Sequence, residues 1–97
     1  MQNKIINKIN FTSQIWKENN IFISHNPELK VSSCGNTIKK AKQNLKQAIE
    51  LFIETTEKMG TLNEILEESG FVKKKENHEQ IWKAPELLSF ERMNLAF

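Results

Sequence analysis

The chain has 97 residues, 38% of them hydrophobic and 27% charged, with a formal net charge of +2. That length suits one domain with a single core of modest margin, and that balance suits a folded globule rather than a disordered tail. The longest apolar run is far too short for a membrane span, no basic-then-apolar leader opens the sequence, and the single Cys34 excludes an internal disulfide; a soluble, cytoplasmic protein is the expectation.

Every acidic residue is a glutamate. The charge is uneven: residues 1–35 and 36–60 are each net positive, and residues 61–97 are net negative. So small a total does not by itself imply nucleic acid.

In chain order, residues 1–7 are polar and are expected to fray. Ile9, Phe11, Ser13 and Ile15 alternate with Asn10, Thr12, Gln14 and Trp16, and period two predicts one strand with one apolar face. Lys17-Glu18-Asn19-Asn20 is a turn, since asparagine tolerates left-handed backbone. Ile21 to His25 is β-branched and aromatic and closes a hairpin. Asn26-Pro27 ends it, because proline has no N–H to donate. Lys30 to Cys34 is a short third strand, and Gly35 is expected to supply the bend after it.

Thr37 is the expected N-cap of a long helix from about Ile38 to Lys58, and Gly60 its C-terminal stop. Ile38, Ala41, Leu45, Ala48, Ile49, Phe52 and Ile53 share one arc at 100° per residue, so this helix must cover a sheet. Thr61-Leu62-Asn63-Glu64 is a capping-box pattern opening a short second helix, which Gly70 closes. Phe71-Val72 is extended, Lys73 to Gln80 reads as a charged turn, Ile81-Trp82 resumes extended structure, and Pro85 interrupts it. Met93, Leu95 and Phe97 alternate with polar or small residues, which predicts a last strand over Ser89–Phe97. The expected fold class is α+β: a small antiparallel sheet in the order β-β-β-α-α-β with the long helix packed on one face, in one domain over 1–97.

Four motifs in this order carry a resemblance: Ile15-Trp16-Lys17-Glu18-Asn19 in the hairpin; Asn26-Pro27-Glu28-Leu29; Ser33-Cys34-Gly35-Asn36-Thr37; and Asn44-Leu45-Lys46-Gln47-Ala48-Ile49-Glu50-Leu51-Phe52 in the helix. Together they resemble the short form of the HicB-like antitoxin family, over residues 9–70 as a core with 71–97 as a C-terminal strand extension. The resemblance implies a partial ribonuclease H-like fold. It implies a partner, a HicA-type ribonuclease toxin that cleaves mRNA, neutralised by protein–protein binding. The sequence departs from the family pattern at Asn26, where cysteine is common, and at Lys39-Lys40, where glutamates are common. Nothing after Gly70 has helical period, so no DNA-binding module is evident.

A nuclease on a ribonuclease H-like outline needs carboxylates clustered on strand ends to hold divalent metals. The predicted strands contain no Asp, Glu18 and Glu28 fall in turns, and the last strand offers only Glu91. His25 has no nucleophile beside it, because Ser24 points to the other face of the strand. Cys34, His25 and His78 do not have zinc-ligand spacing. The expectation is therefore a binding protein rather than an enzyme, with no catalytic residue, metal or cofactor.

The candidate partner-binding residues are Trp16, His25, Glu28, Asn36 and Leu51. Trp16 lies on the polar face of its strand, Leu51 lies off the apolar arc, and Glu28 is a charge partner for a basic toxin. Lys39, Lys40, Lys42 and Lys46 form a possible basic patch in the first half of the helix. They oppose the helix macrodipole, as do Glu50, Glu54 and Glu57 in the second half. A homo-oligomer is also expected. The alternatives are a stand-alone oligomeric domain without a toxin and a weak nucleic-acid-binding regulator.

Overall fold

The computed structural model describes residues 6–97. Eight elements follow one another: β1 (Ile6–Asn10), β2 (Gln14–Glu18), β3 (Ile21–Asn26), β4 (Val31–Gly35), α1 (Ile38–Met59), α2 (Leu62–Glu68), β5 (Val72–Glu76) and β6 (Glu79–Lys83). The fold is α+β. Its strands form two three-stranded sheets rather than one, in the orders β1-β6-β5 and β2-β3-β4. All pairings are antiparallel except β1 with β6, which is parallel.

The alternating stretch from Ile9 to Trp16 is thus not one strand. It breaks at Phe11–Ser13 and feeds two sheets. The cause is non-local. Thr12 N donates to Glu28 Oε1 (2.9 Å), and Asn26 Nδ2 donates to Thr12 O (2.8 Å). Thr12 thereby pairs its backbone with side chains from the turn after β3, as a part-buried backbone group must pair somewhere.

α1 packs on β3 and β4. Ala41, Leu45 and Ile49 are fully buried and Thr56 continues the stripe, whereas Ile38, at the start of the predicted arc, stays half exposed. Thr37 Oγ1 accepts from Lys40 N at 3.0 Å, and Gly60 closes the helix in left-handed backbone at φ 76°, both as the sequence implies. Gly35 does not supply a bend. It is the last residue of β4, and a Cβ there would lie 2.6 Å from Ala41 N and 2.8 Å from Lys40 C. Glycine is needed because the α1 backbone comes that close.

α2 starts without the expected capping box: Thr61 makes no side-chain cap and its Oγ1 turns back to Thr56 O. Lys73 to Gln80 is not a turn either. Lys73–Glu76 lies in β5, paired antiparallel with β6, and the turn is only Asn77-His78, with Asn77 at φ 53°. Lys73 places its ammonium 5.4 Å from the Trp82 ring centroid, a cation–π arrangement. Trp82 joins Leu66 and Phe71 in a second core, with Ile9, Phe11, Leu29, Leu62 and Ala84 against it. The expected C-terminal extension therefore divides, since residues 71–83 are part of the body.

The expected last strand over Ser89–Phe97 is absent: residues 84–97 form neither helix nor strand, and from Pro85 onward every residue is exposed. The alternation of Met93, Leu95 and Phe97 is real, but no strand of the same chain lies alongside to pair with it. Of the residues expected to fray, 1–5 lie outside the described residues, and Ile6 and Asn7 open β1.

Candidate binding surface

The two faces of the β2-β3-β4 sheet differ. Ser24 and Gly35 face α1, so by the period of a strand Gln14, Trp16, Ile21, Ile23, His25, Ser32 and Cys34 face away from it. Register builds this outer face in rows. Gln14, His25 and Ser32 are one row, Trp16, Ile23 and Cys34 the next, and Glu18 with Ile21 the last.

Two of the expected binding residues meet there. The Trp16 and His25 rings are 6.2 Å apart at 64°, an edge-to-face contact. Trp16 keeps 39% of its surface exposed and its Nε1 donates to Glu18 Oε1 at 3.0 Å. His25 Nδ1 and Ser32 Oγ share a hydrogen bond of 2.6 Å. Sequence reasoning looked for a hydroxyl at Ser24, next door in the chain, and missed Ser32. The signal existed in the turn lengths: a two-residue turn after Glu18 and a four-residue turn after Asn26 fix which residues lie opposite.

A histidine hydrogen-bonded to a serine is the start of a nucleophile–base pair, but that chemistry also needs a third group to orient the base and donors for an oxyanion. His25 and Ser32 line neither of the two clefts described below. What the pair does physically is fix the imidazole on an open, mixed polar and apolar sheet face.

The other expected residues are elsewhere. Glu28 does not project as a free charge: its Oε1 accepts from both Thr12 N and Asn26 Nδ2. Asn36 is exposed between β4 and the Thr37 cap, and Leu51 is exposed on α1. Lys39, Lys40, Lys42 and Lys46 are all exposed. Lys39, Lys42 and Lys46 share one helix face by spacing, with Lys40 about 100° round from Lys39. Among the described residues, the ion pair of the fold is Lys8 with Glu79 at 2.7 Å, away from this patch.

Asn26 is the residue whose weight the sequence understated. It is fully buried, its Nδ2 donates to Thr12 O and Glu28 Oε1, and its Oδ1 accepts from Leu29 N at 2.7 Å. A cysteine there could not make this set of bonds. Ser24 is the counter-example, buried beneath α1 with no hydrogen-bond partner for Oγ.

Two clefts flank these features. One, of about 300 Å³, lies between α1, α2 and the β1-β6-β5 sheet and is lined by Ile9, Ile53, Leu62, Leu66 and Trp82 among others. The second, of about 490 Å³, runs between Thr12–Trp16 and the C-terminal residues Leu87, Phe90 and Arg92. Among the described residues, no group of three or more His, Cys, Asp or Glu side chains is placed to hold a metal ion, and no helix is long and apolar enough to cross a membrane. No family model, curated protein or solved structure matches the chain.

Proposed function

We propose that this protein is a HicB-like antitoxin, which neutralises a HicA-type mRNA-cleaving toxin by covering it. The observation that carries the reading is the ordered set of motifs together with its folded form. A hairpin, a Pro-Glu turn held by Asn26 and Glu28, a short strand ending in a glycine pressed against the helix, and a Thr37-capped helix follow in the order the resemblance implies. The outer face around His25 and Ser32 is the surface offered to the toxin. It is rigid, half-polar and carries an aromatic edge, as a transient interface requires. Binding to a basic, RNA-cleaving partner needs no chemistry from this chain, only an interface of roughly 1,200–2,000 Å².

The test is co-expression with a HicA-type toxin, a small basic protein sought in the neighbouring gene. Rescue of growth from that toxin, and co-purification of the two chains, are expected. Growth arrest in the presence of folded protein overturns the reading. A weak nucleic-acid binder is the second reading, favoured by the four exposed lysines at the start of α1. It predicts salt-sensitive binding of the isolated chain to duplex RNA or DNA.

A further inference from the structure

The C-terminal arm is the largest feature that the fold itself does not use. Residues 84–97 form neither helix nor strand and, fully extended, could span about 46 Å, on a molecule measuring 59 × 29 × 24 Å. Leu87, Leu88, Phe90, Met93, Leu95 and Phe97 are all strongly exposed, Leu95 at 87%. Six large apolar side chains on one short exposed segment are more than the singly scattered surface apolar residues that need no explanation.

The arm starts beside β2. Leu87, Phe90 and Arg92 form one wall of the 490 Å³ cleft whose other wall is Thr12–Trp16. β2 is an edge strand of its sheet, so one side of its backbone is free to pair. Two of the other edges are less available. β5 carries Lys73, Lys74 and Lys75 in a row, the usual way of blunting an edge. On β4 the Cys34 carbonyl is taken by Asn44 Nδ2 at 2.7 Å.

We propose that the arm is an exchange element that docks on a second copy of this chain. Residues 93–97 add as a strand to the partner copy's β2, and Met93, Leu95 and Phe97 cover Trp16 and Ile21 on the outer face. The pattern fits: the arm alternates with period two, and the edge it meets presents Trp16 on that same face. The length fits as well. Having passed its own β2 at Leu87–Arg92, the arm carries Met93, Leu95 and Phe97 clear of the chain's own core.

The area favours a reciprocal pair. Phe97, burying about 150–250 Å², with Met93 and Leu95 beside it, counted with the partner surface they cover and doubled by a two-fold axis, brings the contact towards the ~1,200–2,000 Å² of a stable interface. The His25–Ser32 row lies next to the Trp16 row that the arm covers. The dimer is nevertheless read on this chain alone, with no toxin present, so its failure is separate from failure of the toxin reading.

Sedimentation of the purified full chain tests it. The expected mass at about 100 μM is twice 11.3 kDa. A chain ending at Glu86, which keeps the whole core, is expected to sediment as a monomer. Leu95→Glu with Phe97→Glu in the full-length chain is expected to weaken the dimer by at least about tenfold. A full-length monomer at that concentration overturns the proposal. So does a dimer unaffected by loss of the arm, or an arm protected from proteolysis only when a different protein is added. Circular dichroism of both variants separates loss of pairing from loss of fold.

Discussion

Asn26 and Glu28 are tied side chain to side chain at 2.8 Å, and together they hold the backbone of Thr12, 14 residues upstream of Asn26, from both its N–H and its C=O. This clamp is what sends β1 and β2 into different sheets. It also fixes the turn that begins β4, through Leu29 N on Asn26 Oδ1. Removing it is the most direct test of the architecture. Asn26→Ala leaves the Thr12 carbonyl and the Leu29 N–H without these partners in a part-buried site. A loss of about 1–3 kcal/mol is expected for each group stranded there, read as a lower urea midpoint. Asn26→Cys, the common residue of the HicB-like pattern that this stretch resembles, is expected to recover volume but not stability, because a thiol cannot replace an amide that donates twice and accepts once.

The long helix was the part of the fold most legible in the sequence. Its period, its Thr37 cap and its Gly60 stop are all local signals, and each acts within one or two turns. The clamp at Thr12 was not legible, because nothing near Phe11–Ser13 marks a break and the groups that make it come from residues 26 and 28. The β5 strand was hidden for a different reason. Lys73-Lys74-Lys75 has no apolar alternation, and its strand exists through pairing with β6, the Asn77 turn and the Trp82 ring beneath Lys73. The C-terminal alternation failed in the opposite sense, as a strand pattern with no partner in its own chain. At the candidate surface, Trp16 and His25 were visible as residue types, but Ser32 reaches His25 only through strand register.

Gly35 and Gly60 are both required, for reasons that substitution separates. At Gly35 the obstacle is space, since an alanine Cβ would sit 2.6 Å from the Ala41 nitrogen and backbone must move. At Gly60 nothing lies within 4 Å and the obstacle is the left-handed φ of 76°. Gly60→Ala is expected to cost about 1–2 kcal/mol. Gly35→Ala is expected to cost about 1–3 kcal/mol and, unlike Gly60→Ala, to disturb the β4–α1 contact. Amide exchange along β4 distinguishes them: protection falls in the Gly35 variant and is kept in the Gly60 variant.

The apolar arc of α1 makes a second graded prediction. Leu45 has no exposed surface, so Leu45→Ala is expected to cost about 2–5 kcal/mol. Leu51 is 63% exposed on the same helix, and Leu51→Ala is expected to stay within about 0.5 kcal/mol. Thermal melts of the two variants check the ranking. If Leu51→Ala nevertheless weakens capture of the proposed toxin, Leu51 is a contact and not a neutral surface position.

Lys39 and Lys40 occupy the first turn of α1, where there is no acidic residue. Positive charge there opposes the partial positive charge of the helix N-terminus, so the sequence keeps an arrangement that fold stability disfavours. Lys39→Glu and Lys40→Glu are each expected to raise stability by about 0.3–1 kcal/mol at low salt, with the gain shrinking as salt screens it. If stability rises and toxin neutralisation is unchanged, the lysines are a solvated face. If stability rises and neutralisation or nucleic-acid binding falls, the first turn is retained for binding at the expense of the helix. His25→Ala supplies the reference for that comparison. It removes the Ser32 bond and the Trp16 contact from the outer face while leaving α1 intact, and under the proposed antitoxin function it is expected to lower affinity for the toxin with little change in the melting temperature.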